Sequence, residues 1–176
     1  KVFENVSGTS YAQAVSQTIQ VNIASDTTPF LYPNQFCNFN ADSNVVTVSD
    51  TITSGMTDPL KKVEAIYNYA VDNITYDNQK AATVQSGYLP NVDATLAQKK
   101  GICFDYAAVM TSMLRAQGIP TKLVIGYAGN VYHAWVSVYI QGQGWVDNII
   151  YFDGTDWKLM DPTFVSSGKK SAEVLN

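Results

Sequence analysis

The spacing of apolar residues changes period partway along this chain. Between Asp58 and Ile74, Leu60, Val63, Tyr67, Ala70 and Ile74 recur at helical intervals, with Lys61, Lys62, Glu64 and Asn68 on the other face. That pattern predicts a helix with one buried stripe, opened by Asp58 as N-cap and Pro59 at the first helical position. A short helix from about Asp93 to Gln98 leads into another, marked by Ala107, Met110, Thr111 and Leu114 on one face. Gly118, which tolerates the left-handed conformation, and Pro120, which blocks continuation, end that helix. From Thr121 onward the pattern reads as strands: TKLVIGYA, VYHAWVSVYI, GWVDNIIYF and DWKLMDPTF. Gly142 and Gly144 flank one turn, and Asp153-Gly154 is a hairpin signal at the next. Helices followed by an antiparallel meander predict an α+β domain with its helices on one side of a sheet.

The first part of the chain reads differently. IQVNIAS (19–25) and NVVTVSD (44–50) alternate β-branched with polar residues and predict short strands, joined by an extended loop with two prolines and several aromatics. Residues 1–57 are thus expected to be a strand- and loop-rich section packed on a core of residues 58–176. The polar segment 77–93, with Gly87 and Pro90, reads as a connection that covers or borders a site.

Composition narrows the function classes. A chain of 176 residues, 46% hydrophobic and 15% charged, is long enough for one well-buried core. Its net charge of -4, without a basic run, lacks the electrostatic footprint of a nucleic-acid binder. No apolar run reaches membrane-spanning length. The 2 cysteines, Cys37 and Cys103, form neither a disulfide framework nor a zinc spacing, and no EF-hand pattern is present, so no metal or cofactor is expected. The Thr/Asn-rich, lysine-poor first section resembles extracellular proteins, which suggests an extracytoplasmic location.

Two residue types then carry chemistry. Cys103 stands near a helix start, where unpaired N–H groups and the helix dipole favour a thiolate and lower the thiol pKa. The alternative is a small buried packing residue. The single histidine, His133, lies mid-strand. On that strand Ala134, Val136, Val138 and Ile140 share a core face, and His133, Trp135, Ser137 and Tyr139 the opposite one. A cysteine at a helix start and a histidine on a later strand are the parts of a thiol–base pair, which a third group would orient. Asp147, Asp153, Asp156 and Asp161 are candidates for that third group. Asp153 and Asp156 read better as turn residues, Asp161 stands at a strand end before Pro162, and Asp147 is the fallback. The Cys103 N–H supplies half of an oxyanion hole, with the second donor unassigned. Trp135 and Tyr132 flank the base and are candidates for substrate binding.

In order, GICFDYA, MLRAQGIPTKLVIGY, HAWVSVYI and WKLMDPTF resemble the core of the transglutaminase-like superfamily, and DPLKKVEAIYNYAVDNITYD resembles the helix preceding the cysteine in bacterial members. The resemblance spans about Asp58 to Phe164. It implies a papain-like fold, with Cys103 as nucleophile, His133 as base and Asp161 as orienting acid, although GQGWVDNIIYFDGT lengthens the interval from His133 to Asp161. It further implies thiol-dependent acyl transfer on peptide or protein amides, with water or an amine as acceptor, and without the calcium loop of animal transglutaminases. The small size of the domain favours hydrolysis by analogy. The rival expectation is a non-catalytic binding or adaptor domain that keeps the fold.

Overall fold

The computed structural model describes residues 1–128, 131–152 and 157–159. Its centre is a helix buried on nearly every side. Helix α5 (Cys103–Ala116) has every residue from Asp105 to Arg115 buried, a wider burial than its one-face pattern predicts. Helices α1 (Asn44–Ile52), α2 (Pro59–Asn73) and α4 (Val92–Gln98) pack on it, as do strands β5 (Thr121–Ala128) and β6 (Val131–Ile140). With β7 (Gly144–Phe152) and β8 (Trp157–Leu159), these strands form an antiparallel sheet in the order β5-β6-β7-β8. This is the expected α+β architecture, with helices on one side of a meander. Ala134, Val136, Val138 and Ile140 are all buried, so the assigned core face of β6 is the one turned inward.

Local chemistry explains where these elements begin and end. The Asp58 side chain accepts from the Leu60 N–H at 2.9 Å, ahead of Pro59. Asn91 does the same for Ala94 at 3.0 Å. At the far end of α5, Gly118 takes φ +73° and Ile119 N–H returns to the Leu114 carbonyl at 3.0 Å, which closes the helix in a left-handed turn. Along α2, Val63, Ala70 and Ile74 are buried as expected; Ile66, outside the predicted stripe, is fully buried too.

The first section departs from its expected strands. Residues 19–25 form no regular element, and residues 44–50 lie within α1. Val45 and Ser49, one helical turn apart, are the buried positions of α1, and Ser49 Oγ donates to the Met113 carbonyl of α5 at 3.0 Å. The α1 N-terminus is capped from a distance: the Asp93 carboxylate accepts from Asn44 N–H (3.1 Å) and Val45 N–H (2.8 Å). Packing and a long-range cap override the strand preference of β-branched residues. Strands β1 (Val2–Ser7) and β2 (Ser10–Val15) form a separate hairpin, exposed throughout.

Arg115 joins the end of α5 to its surroundings. Its guanidinium donates twice to the Thr121 carbonyl, at 3.0 and 2.8 Å, and once to the Tyr32 carbonyl, at 2.7 Å. Replacing Arg115 with Met leaves those carbonyls without these donors, and we expect a loss of about 3 kcal/mol in urea unfolding followed by circular dichroism. An unchanged midpoint would show that water replaces the side chain.

Candidate active site

A short parallel pairing shapes the mouth of α5. Strands β3 (Thr75–Tyr76) and β4 (Lys100–Gly101) pair in register, with Thr75 N–H to Lys99 O and Asp77 N–H to Gly101 O both at 2.9 Å. Tyr76 is thereby brought beside Cys103, the first residue of α5. Cys103, Tyr76 and His133 line one cavity of about 590 Å³, with helix α3 (Asn78–Thr83) and the turn after it on another side. The connection over residues 77–93 therefore does border this cavity, and it contains a short helix capped by Asp77, whose side chain accepts from Lys80 N–H at 3.0 Å.

The thiol is free and half-buried. Burial pushes the Cys103 thiol up from its ordinary range, and hydrogen bonds from the N–H groups of Ala134, Phe104 and Cys103 itself pull the other way. The nearby Asp105 carboxylate also raises it. Desolvation wins, so the lowering expected from the helix start is outweighed. That Ala134 N–H belongs to β6, next to the residue that carries the imidazole.

Tyr76 is a site residue that pattern analysis did not identify. Burial raises its phenol first, and the neighbouring Cys103 sulfur raises it further, by charge repulsion and by the hydrogen bond it accepts from the hydroxyl. The Cys103 N–H donates to the phenol oxygen and acts in the opposite sense. The net effect keeps the hydroxyl protonated, and so a donor, next to the backbone N–H that the sequence offers as an oxyanion donor.

Beneath this pair lies a buried carboxylate. Asp105, fully buried, accepts from Lys80 Nζ (2.6 Å), Tyr88 Oη (2.5 Å) and Ile102 N–H (2.8 Å). Lys80 Nζ also donates to Tyr88 Oη at 2.6 Å. Gly101 makes room for this cluster, since a Cβ there would lie 2.7 Å from Asp105 Cβ.

The other sequence candidates are distributed as follows. His133 is half-buried and pairs with Gly126 across β5–β6. Trp135 lies two pairs further along and packs over Gly126, where an added Cβ would meet its ring at 3.2 Å; it does not line the cavity. Tyr132 pairs with Tyr127, and its side chain is outside the described set. Asp147 is exposed on β7, one residue beyond the Val138–Val146 pair. At about 3.3 Å per residue, that leaves it roughly 13 Å along the strand from His133. Asp153, Asp156 and Asp161 lie outside the described residues.

The family model of the Transglutaminase-like superfamily matches residues 46–148. The chain belongs to that superfamily. The uncharacterized protein YebA of Bacillus subtilis is 29% identical over 148 residues, 73% of this chain and 19% of YebA. The protein-glutamine gamma-glutamyltransferase of Pseudomonas aeruginosa is 39% identical over 62 residues, 27% of this chain and 9% of that protein. The chain thus spans less than a fifth of the length of either curated relative. Among solved structures, a candidate cysteine protease from Cytophaga hutchinsonii superposes with a TM-score of 0.57 at 25% identity, covering 71% of this chain and 42% of that one. The periplasmic domain of TgpA from Pseudomonas aeruginosa gives 0.52 at 22% identity, covering 80% and 48%. These neighbours support the papain-like, transglutaminase-like fold.

Thiol labelling tests the electrostatics. Iodoacetamide should modify Cys103 and spare Cys37, which is fully buried and has its thiol pushed up to about 11 by burial. Because the raised Cys103 thiol must ionise before it reacts, the labelling rate should climb with pH to a midpoint above that of a free cysteine, about 8.5. A plateau already reached at pH 6 would indicate a preformed thiolate–imidazolium pair instead.

Proposed function

We propose that this superfamily member is a thiol-dependent acyl-transfer enzyme acting on amide bonds of peptides or proteins. One observation carries the reading: Cys103 and His133 share a cavity in which the Cys103 N–H and the Tyr76 hydroxyl are neighbouring donors. As Cys103 Sγ attacks the amide carbonyl, His133 takes the thiol proton. The developing oxyanion accepts from Cys103 N–H and Tyr76 O–H in place of the bond those groups make to each other. His133 then delivers the proton to the leaving amine, and a thioester remains for water or a second amine to attack. Because burial disfavours the thiolate, the base acts as the sulfur attacks. Asp161, on the strength of its Asp-Pro-Thr setting, orients His133.

The similarity to a candidate cysteine protease and to a gamma-glutamyltransferase supports amide chemistry with either acceptor. The likeness to a periplasmic domain supports an extracytoplasmic location. Among the described residues no helix is long and apolar enough to cross a membrane.

With casein and a fluorescent primary amine under reducing conditions, the protein should give amine incorporation or new amino termini. Cys103→Ala should abolish the activity, and His133→Ala should lower kcat/KM by about 10³-fold or more. Tyr76→Phe should lower kcat by about 10²-fold with KM little changed, as expected for a donor used only in the transition state. Absence of both products would favour the non-catalytic binding domain.

A further inference from the structure

The cavity has a second wall with a chemistry of its own. It is built by α3 and the turn that follows, through Ala81, Val84, Gln85 and Tyr88, and continues onto Phe104 and Ile125. These side chains offer aliphatic and aromatic carbon, one uncharged amide and one phenol. The nearby charges are already committed to one another. Lys80 Nζ reaches Asp105 Oδ2 and Tyr88 Oη, both at 2.6 Å, and sits 4.3 Å from the centre of the Tyr88 ring. Asp105 is fully buried beneath them. A carboxylate or ammonium brought to this wall would lose hydration and meet no uncommitted counter-charge there among the described residues, whereas an apolar side chain would gain contact.

The same cluster fixes the wall relative to the nucleophile. Tyr88 is tied at 2.5 Å to Asp105, two residues beyond Cys103, and its ring stands edge-on to Phe104 with centroids 6.3 Å apart. A recognition surface held this way needs little ordering when a ligand arrives. A cavity of about 590 Å³ leaves room for a side chain next to the reacting amide.

We propose that residues 81–88, held to α5 by Lys80 and Tyr88 through Asp105, form a subsite that receives an uncharged apolar side chain flanking the reactive amide. The assignment rests on the acyl-transfer reading for the identity of that amide, and its test separates the two.

Binding is measured on the Cys103→Ala protein by amide shift titration with acetylated Leu-Gln-Leu, Glu-Gln-Glu and Lys-Gln-Lys amides. The leucine peptide should bind at least tenfold more tightly than either charged one. Val84, partly exposed at the cavity rim, can be changed without opening the core. Val84→Lys should shift the preference at least tenfold towards the glutamate peptide. Tyr88→Phe, which keeps the ring and removes the tie to Asp105, should weaken leucine-peptide binding several-fold. Equal affinities, a preference for a charged peptide by the unaltered wall, or no saturable binding would each overturn the subsite. Turnover of the same peptides by the unmodified chain provides the second arm. Selective binding without turnover refutes acyl transfer and leaves the subsite standing. Turnover with no leucine preference in kcat/KM refutes the subsite and leaves acyl transfer standing.

Discussion

Burying a helix on all sides turns its two ends into its polar outlets, and most of this structure follows from that constraint on α5. At the C-terminal end, Gly118 and the Arg115 guanidinium satisfy carbonyls that water does not reach. At the N-terminal end, Asp105 turns back to the Ile102 N–H, while Cys103 and its own N–H face the cavity. The sheet on one side and three helices on the other leave that end open. Cys103 therefore sits where the first N–H groups of the helix are taken up by cavity-lining side chains rather than by helix carbonyls.

The same burial sets the electrostatic character of the site. It pushes the Cys103 thiol and the Tyr76 phenol in the same direction, towards their protonated forms. For Tyr76 this preserves a donor. For Cys103 it disfavours the thiolate, which is why the proposed reaction assigns the thiol proton to a base as the sulfur attacks. Asp105, two residues away, would worsen the penalty on the thiolate if it stood alone. The Lys80 ammonium offsets it at 2.6 Å.

How far the sequence revealed this depended on whether an element carries its own signals. Helices α2 and α5 and strands β5 to β7 do: caps, glycine stops and regular apolar spacing lie within each segment. Helix α1 does not. Its Val- and Thr-rich run alternates like a strand, and the carboxylate that caps it belongs to Asp93, 48 or 49 positions away. Helix α3 is six residues long, too short to show a period inside a polar connection. Cys103 and His133 stood out by residue type. Tyr76 did not, because only the pairing of β3 with β4 brings it to the cysteine. Asp105 looked like an ordinary first-turn helix acid, since its burial comes from Gly101, Lys80 and Tyr88, none of which marks it locally.

The Lys80–Asp105 pair also bears on how the site responds to its medium. Ion pairs at a protein surface weaken as salt is added, because mobile ions crowd between them. Lys100 and Asp77, 3.3 Å apart with the lysine half exposed, make such a pair at the edge of the β3–β4 bridge. Asp105 has no solvent contact and Lys80 retains less than a third of its exposure, so counterions have little access to the bond between them. Ionic strength that loosens the rim thus leaves the tie between the cavity wall and helix α5 nearly untouched, and a single geometry persists from dilute to saline surroundings.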